Sequence, residues 1–170
     1  MDETTAGTGS PARSIARRDV LEVVVFVIAI NVVGGLPGVL SGPDSAWFRA
    51  LEKPAFYPPE IAFPVVWTLL FTLMGVALWL VWRASGTGRG LALGLFVGQM
   101  AVNVAWTPVF FGLEELFAGL VVIVTLWVLV AATIVAFRAV DRRAAALLVP
   151  YLLWVTFASV LNYELWRLNA

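Results

Sequence analysis

Residues 53–83 read "KPAFYPPEIAFPVVWTLLFTLMGVALWLVWR", and the fold turns on how this stretch changes character part-way. Its first fifteen residues hold four prolines, four aromatic rings, one lysine and one glutamate. The run from residue 60 to 82 is long and apolar enough for a helix crossing hydrocarbon, which takes about 20 residues to span ~30 Å. A stiff aromatic preface therefore leads directly into a membrane segment. The prolines restrict φ and lower the entropy lost on ordering, so residues 53–67 read as a stiff segment feeding the helix.

Working outward, comparable runs lie at about 20–41, 89–110, 115–137 and 144–166, in addition to 60–82. The expected fold class is an all-α integral membrane protein, a five-transmembrane-helix bundle with a long first loop at 42–59. Composition agrees, because 61% of the 170 residues are hydrophobic and only 13% charged, against 45–50% apolar in soluble domains. Residues 1–19 are rich in Ser, Thr, Gly and Ala and read as a disordered cytoplasmic tail. Eleven basic residues balance eleven acidic ones and no basic aromatic face appears, so nucleic acid is not an expected partner. The chain has no cysteine and no histidine, which excludes disulfides, thiol chemistry, ordinary zinc sites and His-based nucleophile pairs; no metal site is expected.

Arg13, Arg17, Arg18, Arg83, Arg89, Arg138, Arg142 and Arg143 fall on one side of the alternating spans, and Arg49, Lys53 and Arg167 on the other. Cytoplasmic segments carry the excess, which places the N-terminus in the cytoplasm of a cell membrane and the first loop outside. Prolines 59, 64 and 150 are read near helix starts, where a missing N–H is tolerated.

The third run spaces Gly90, Gly94 and Gly98 four apart, a smooth stripe that lets another helix approach closely. The pattern fits packing within one chain or a homodimer seam. Gln99, Asn103 and Trp106 follow on a different face; buried amides need partners, supplied by neighbouring helices or by a ligand. Of eight tryptophans, Trp47, Trp82 and Trp166 sit where interfacial anchors belong. Trp67, Trp106 and Trp154 lie inside spans and would suit a cavity for a flat, conjugated, mostly apolar molecule. Because the second and fifth runs point in opposite directions, simple depth sets Trp154 nearer the cytoplasmic side than Trp67.

Three stretches carry a resemblance: residues 47–83, "GQMAVNVAWTPVFFG" at 98–112, and "PYLLWVTFASVLNYELWRLN" at 150–169. They resemble the loop, third-helix and fifth-helix signatures of the translocator protein, or tryptophan-rich sensory protein (TspO/MBR), family. Phe56 and Ile61 stand where that loop motif usually has tryptophan. The resemblance implies a homodimeric five-helix bundle with one pocket per protomer, closed by the first loop. Its ligands would be protoporphyrin IX or a related tetrapyrrole, other flat hydrophobic molecules, and in some members a sterol; no further cofactor is implied.

By the same resemblance, Trp67 and Trp154 match the tryptophans tied to porphyrin binding and light-dependent breakdown, and are the candidate catalytic residues if there is chemistry. Asn103, Trp106, Ala158 and Leu161 match ligand-contacting positions, and the helix-three dimer contact would use the glycine stripe. Phe63 would support the macrocycle beside Trp67. Arg49 and Lys53 would pair with the ligand's carboxylates or greet lipid headgroups. Leu161, Tyr163 and Arg167 fit a short sterol pattern, or else Tyr163 and Arg167 are interfacial anchors. Three functions stay open: a tetrapyrrole sensor, a porphyrin or lipid transporter, and a light-dependent porphyrin-degrading protein.

Overall fold

A computed structural model describes residues 17–170. The expected tail lies outside the described residues except for its last three, which are helical. The helices are α1 (Arg17–Leu40), α2 (Ala46–Ala50), α3 (Ala62–Arg83), α4 (Arg89–Thr107), α5 (Leu116–Val140) and α6 (Arg142–Asn169), with a π-helical turn at Pro108–Gly112. Among the described residues there is no strand. Five of these segments, with the π turn continuing α4, are long and apolar enough to cross a membrane.

The connections between α3 and α4, α4 and α5, and α5 and α6 are short, which makes successive helices antiparallel neighbours. α1 packs on α3, α3 on α6, α6 on α5 and α5 on α4, and lighter contact between α4 and α1 closes the ring. The central core of Met74, Ala77, Phe96, Leu126, Leu148 and Val155 is drawn from α3 to α6. α1 is the outlier: only Ile30 is buried. It is held by a close backbone approach, where a Cβ on Gly75 would lie 2.6 Å from the Val27 Cα. An Asn31 Nδ2 bond to Thr72 Oγ1 at 3.2 Å supports it. So do ion pairs from Arg83 to Asp19 and Glu22 at the far end.

Differences from the sequence reading are local. α6 begins at Arg142, where the Asp141 carboxylate accepts from the Arg143 and Ala144 N–H groups. Pro150 consequently lies in the interior of the helix and not near its start. Pro59 precedes α3 and closes a turn, accepting from the Ala62 N–H at 2.8 Å; Pro64 does sit in the first turn. The lid carries its own helix, α2, capped by Ser45 Oγ on the Phe48 N–H at 3.1 Å. The span read as ending at residue 110 passes into the π turn, in which the Leu113 N–H reaches the Pro108 carbonyl.

Described charges are sharply divided between the two ends of the bundle. The end holding Arg17, Arg83, Arg89, Arg138 and Arg142 carries seven arginines against Asp19, Glu22 and Asp141. The lid end carries Arg49, Lys53 and Arg167 against six carboxylates, at Asp44, Glu52, Glu60, Glu114, Glu115 and Glu164.

Candidate ligand cavity

Beneath the lid, all five spans surround a cavity of about 570 Å³, within the 300–1,000 Å³ usual for small-molecule sites. Phe63 and Trp67 come from the first turns of α3, four residues apart and so on one face of the helix, and both line the cavity. Trp154 comes from near the middle of the 28-residue α6. It meets Trp67 edge to face at 6.4 Å and Phe63 at 6.0 Å. The depth expectation for Trp154 therefore gives way: α6 outruns α3, and its last residue pins the lid. Asn169 donates to the Glu52 carbonyl at 3.0 Å and accepts from the Glu52 N–H at 2.9 Å.

The opposite wall is nearly bare of side chains. Gly34, Gly35 and Gly38 of α1 line the cavity, and a Cβ on Gly34 would strike the Phe71 ring at 2.4 Å. Phe71 in turn stacks on Trp67 at 5.2 Å. The roof is aromatic. Phe48 of α2 is buried against Phe111 at 5.0 Å and Phe110 at 6.1 Å. Both phenylalanines stand on the π turn, which widens the helix and turns them into the bundle. Phe110 stacks on Trp106 at 4.9 Å and fits against Gly119, where a Cβ would approach it to 2.7 Å.

Polar groups in this wall are mostly committed to protein partners. Asn103 Nδ2 donates to the Tyr151 hydroxyl at 2.9 Å, which donates to Gln99 Oε1 at 3.1 Å. Trp106 Nε1 donates to Asn162 Oδ1 at 3.1 Å, and Asn162 Nδ2 to the Leu116 carbonyl. Interhelical bonding thus accounts for the Gln99 carbonyl oxygen but leaves its Nε2 buried without a partner among the described residues, while Asn103 and Trp106 both bond across helices and face the cavity. Trp154 Nε1 is buried without a partner. It is a spare donor on a cavity-lining ring. Tyr57 closes the lid side, and burial, then the Glu60 charge, pushes its phenol above its ordinary value. It stays protonated as pH rises past the point where an exposed phenol would ionise.

The structure gathers Phe63, Trp67, Asn103, Trp106, Trp154, Ala158 and Leu161 around one space. It does not bring Arg49 or Lys53 to it. Arg49 is exposed on the last turn of α2. Lys53 Nζ donates to the Phe48 carbonyl at 3.1 Å and lies 5.0 Å from the Phe48 ring centre. Among the described residues, the charged ones lining the cavity are Asp44 and Glu60. Leu161, Tyr163 and Arg167 are also parted: Leu161 faces the cavity, Tyr163 is exposed beside Trp166, and Arg167 pairs with Glu164 at 2.6 Å. Gly90, Gly94 and Gly98 face away from the bundle, with nothing within 4 Å of a Cβ built at any of them. The stripe is not an intramolecular contact among the described residues.

Sequence reasoning passed over the α1 wall, although Gly34, Gly38 and Gly42 repeat every four residues just as the third run does. It also passed over Asp44, Tyr57 and the Tyr151 bridge; an isolated tyrosine in an apolar run offers no spacing signal.

The TspO/MBR family model matches residues 23–167. This chain belongs to the TspO/MBR family. A tryptophan-rich sensory protein from Cereibacter sphaeroides is 44% identical over 132 residues, covering 78% of this chain and 82% of its own. Protein CrtK of Rhodobacter capsulatus is 42% identical over 150 residues, covering 85% and 91%. The human translocator protein is 40% identical over 131 residues, covering 75% and 78%. TspO/MBR membership and five apolar spans make the chain an integral membrane protein.

Proposed function

We propose that this protein is a membrane receptor or sensor that binds tetrapyrroles of the protoporphyrin IX class, and other flat hydrophobic molecules, in the cavity beneath the lid. The observation that carries the reading is the aromatic corner of Trp67, Trp154 and Phe63 on the wall of a cavity of about 570 Å³. Rings set edge to face leave a cleft that a planar macrocycle can enter by stacking at little entropic loss. The names of relatives, a sensory protein and a translocator, fit a ligand-responsive role. The protein works as a homodimer through the outward glycine stripe of α4. It sits in the cell membrane with the arginine-rich end cytoplasmic.

Titration of purified protein with protoporphyrin IX in the dark tests this. Saturable tryptophan quenching is expected, weakened about tenfold or more in Trp67→Phe/Trp154→Phe by the loss of stacking area. Unsaturable quenching that both proteins share defeats the reading. The indole pair also favours a second reading, light-dependent porphyrin breakdown, since two oxidisable rings sit 6.4 Å apart on the cavity wall. Loss of the porphyrin absorption band under light in the wild type, and its persistence in the double variant, marks that activity.

A further inference from the structure

The mouth of the cavity carries the opposite charge from the one a carboxylate-bearing ligand requires. Asp44, just before α2, and Glu60, just before α3, both line the cavity and both are exposed. Among the described residues neither carboxylate accepts a hydrogen bond or forms an ion pair, so their charges are not spent on internal partners. The nearest cations in sequence are engaged or turned away: Lys53 is held by the Phe48 carbonyl and Arg49 points outward, with Glu52 between them. Among the described residues the interior adds no positive group, because its lining holds no lysine or arginine. An anion brought to the lid therefore meets two solvent-exposed carboxylates, whose repulsion is partly screened by water and salt.

We propose that Asp44 and Glu60 are specificity-determining residues: they favour flat ligands whose lid-facing edge is neutral, donor-bearing or cationic, and disfavour those presenting free carboxylates there. The proposal rests on the tetrapyrrole reading of the cavity for its probes, and sharpens it, since a porphyrin would enter more readily as an ester than as a diacid. Specificity arises here by repulsion of the wrong partner, with the aromatic walls supplying the affinity common to both.

Full-length protein in phosphatidylcholine nanodiscs at low salt is titrated with three probes: protoporphyrin IX, its dimethyl ester and a cationic acridine. In the wild type the diacid is expected to bind about three- to tenfold more weakly than the ester, the scale set by partly screened charges. In Asp44→Asn/Glu60→Gln that ratio closes toward one and the acridine weakens by a similar factor. High salt shrinks both effects. An unchanged ratio in the variant, or a diacid that loses affinity when the carboxylates are removed or when Lys53→Met is made, overturns the proposal. If neither porphyrin binds but the acridine does so in a carboxylate-dependent way, the tetrapyrrole reading falls while the charge discrimination stands. If no probe distinguishes the two proteins, the discrimination falls.

Discussion

Gly75 shows how one missing methyl group decides where a helix sits. Ordinarily Gly→Ala inside a helix gains up to ~1 kcal/mol of propensity. At Gly75 the new Cβ would lie 2.6 Å from Val27 Cα and 3.0 Å from its N, and main chain cannot rotate out of the way. Overpacking of that kind costs ~1–3 kcal/mol, so the clash wins. Gly75→Ala is expected to lower the thermal midpoint in detergent and to raise hydrogen exchange in α1, the helix with least buried surface. Gly90→Ala, where nothing within the protomer lies within 4 Å, keeps only the propensity gain in the detergent monomer. A midpoint that moves alike in both variants removes the close-approach account. Neither position announces this in the sequence: both glycines occupy apolar runs, and only the neighbouring backbone tells them apart.

At the level of elements, the lid is fastened at two points. Phe48 plugs into the π-turn aromatics, and Asn169 bonds both ways to the Glu52 backbone. Truncating a buried Phe forfeits ~3–5 kcal/mol in a rigid core; here the loss falls on one local unit and appears as lid opening. Phe48→Ala is expected to speed exchange across residues 46–57 and to accelerate release of protoporphyrin IX, with the core of α5 unaffected. Equal protection of the lid in wild type and variant would refute the plug. Trp67, Trp106 and Trp154 were legible as rings within spans, and Phe63 only as a neighbour of Trp67. The π turn was not. Pro108 marks a helix end in sequence, whereas the switch to a wider turn depends on Gly119 making room for Phe110, a contact between distant residues.

For the molecule as a whole, alternating hydrophobic runs made the five-span ring readable, because membrane length and backbone hydrogen bonding leave few alternatives. Charge was harder to read. The arginine-rich end was readable from the alternation of spans, but equal totals of acid and base concealed the acidic lid end, and which residues line the cavity depends on how the lid folds over it. The glycine stripe belongs to this scale too. Gly94→Leu touches nothing inside the protomer, so its thermal midpoint as a monomer in detergent should hold within about 1 kcal/mol. If α4 is the seam between protomers, cross-linking in liposomes should fall at the same time. Undiminished cross-linking rules out that seam.

The α1 side of the hollow has a consequence of its own. Where Gly34, Gly35 and Gly38 face the ligand space, the contact surface is main chain, identical in chemistry at every point. Between Asn31 and Val39, that stretch of wall measures thickness and has no side chain with which to recognise substituents. Retuning what the hollow accepts, whether by selection or by design, must be written into α3, α6 and the lid, since a side chain added on the first helix can only subtract room.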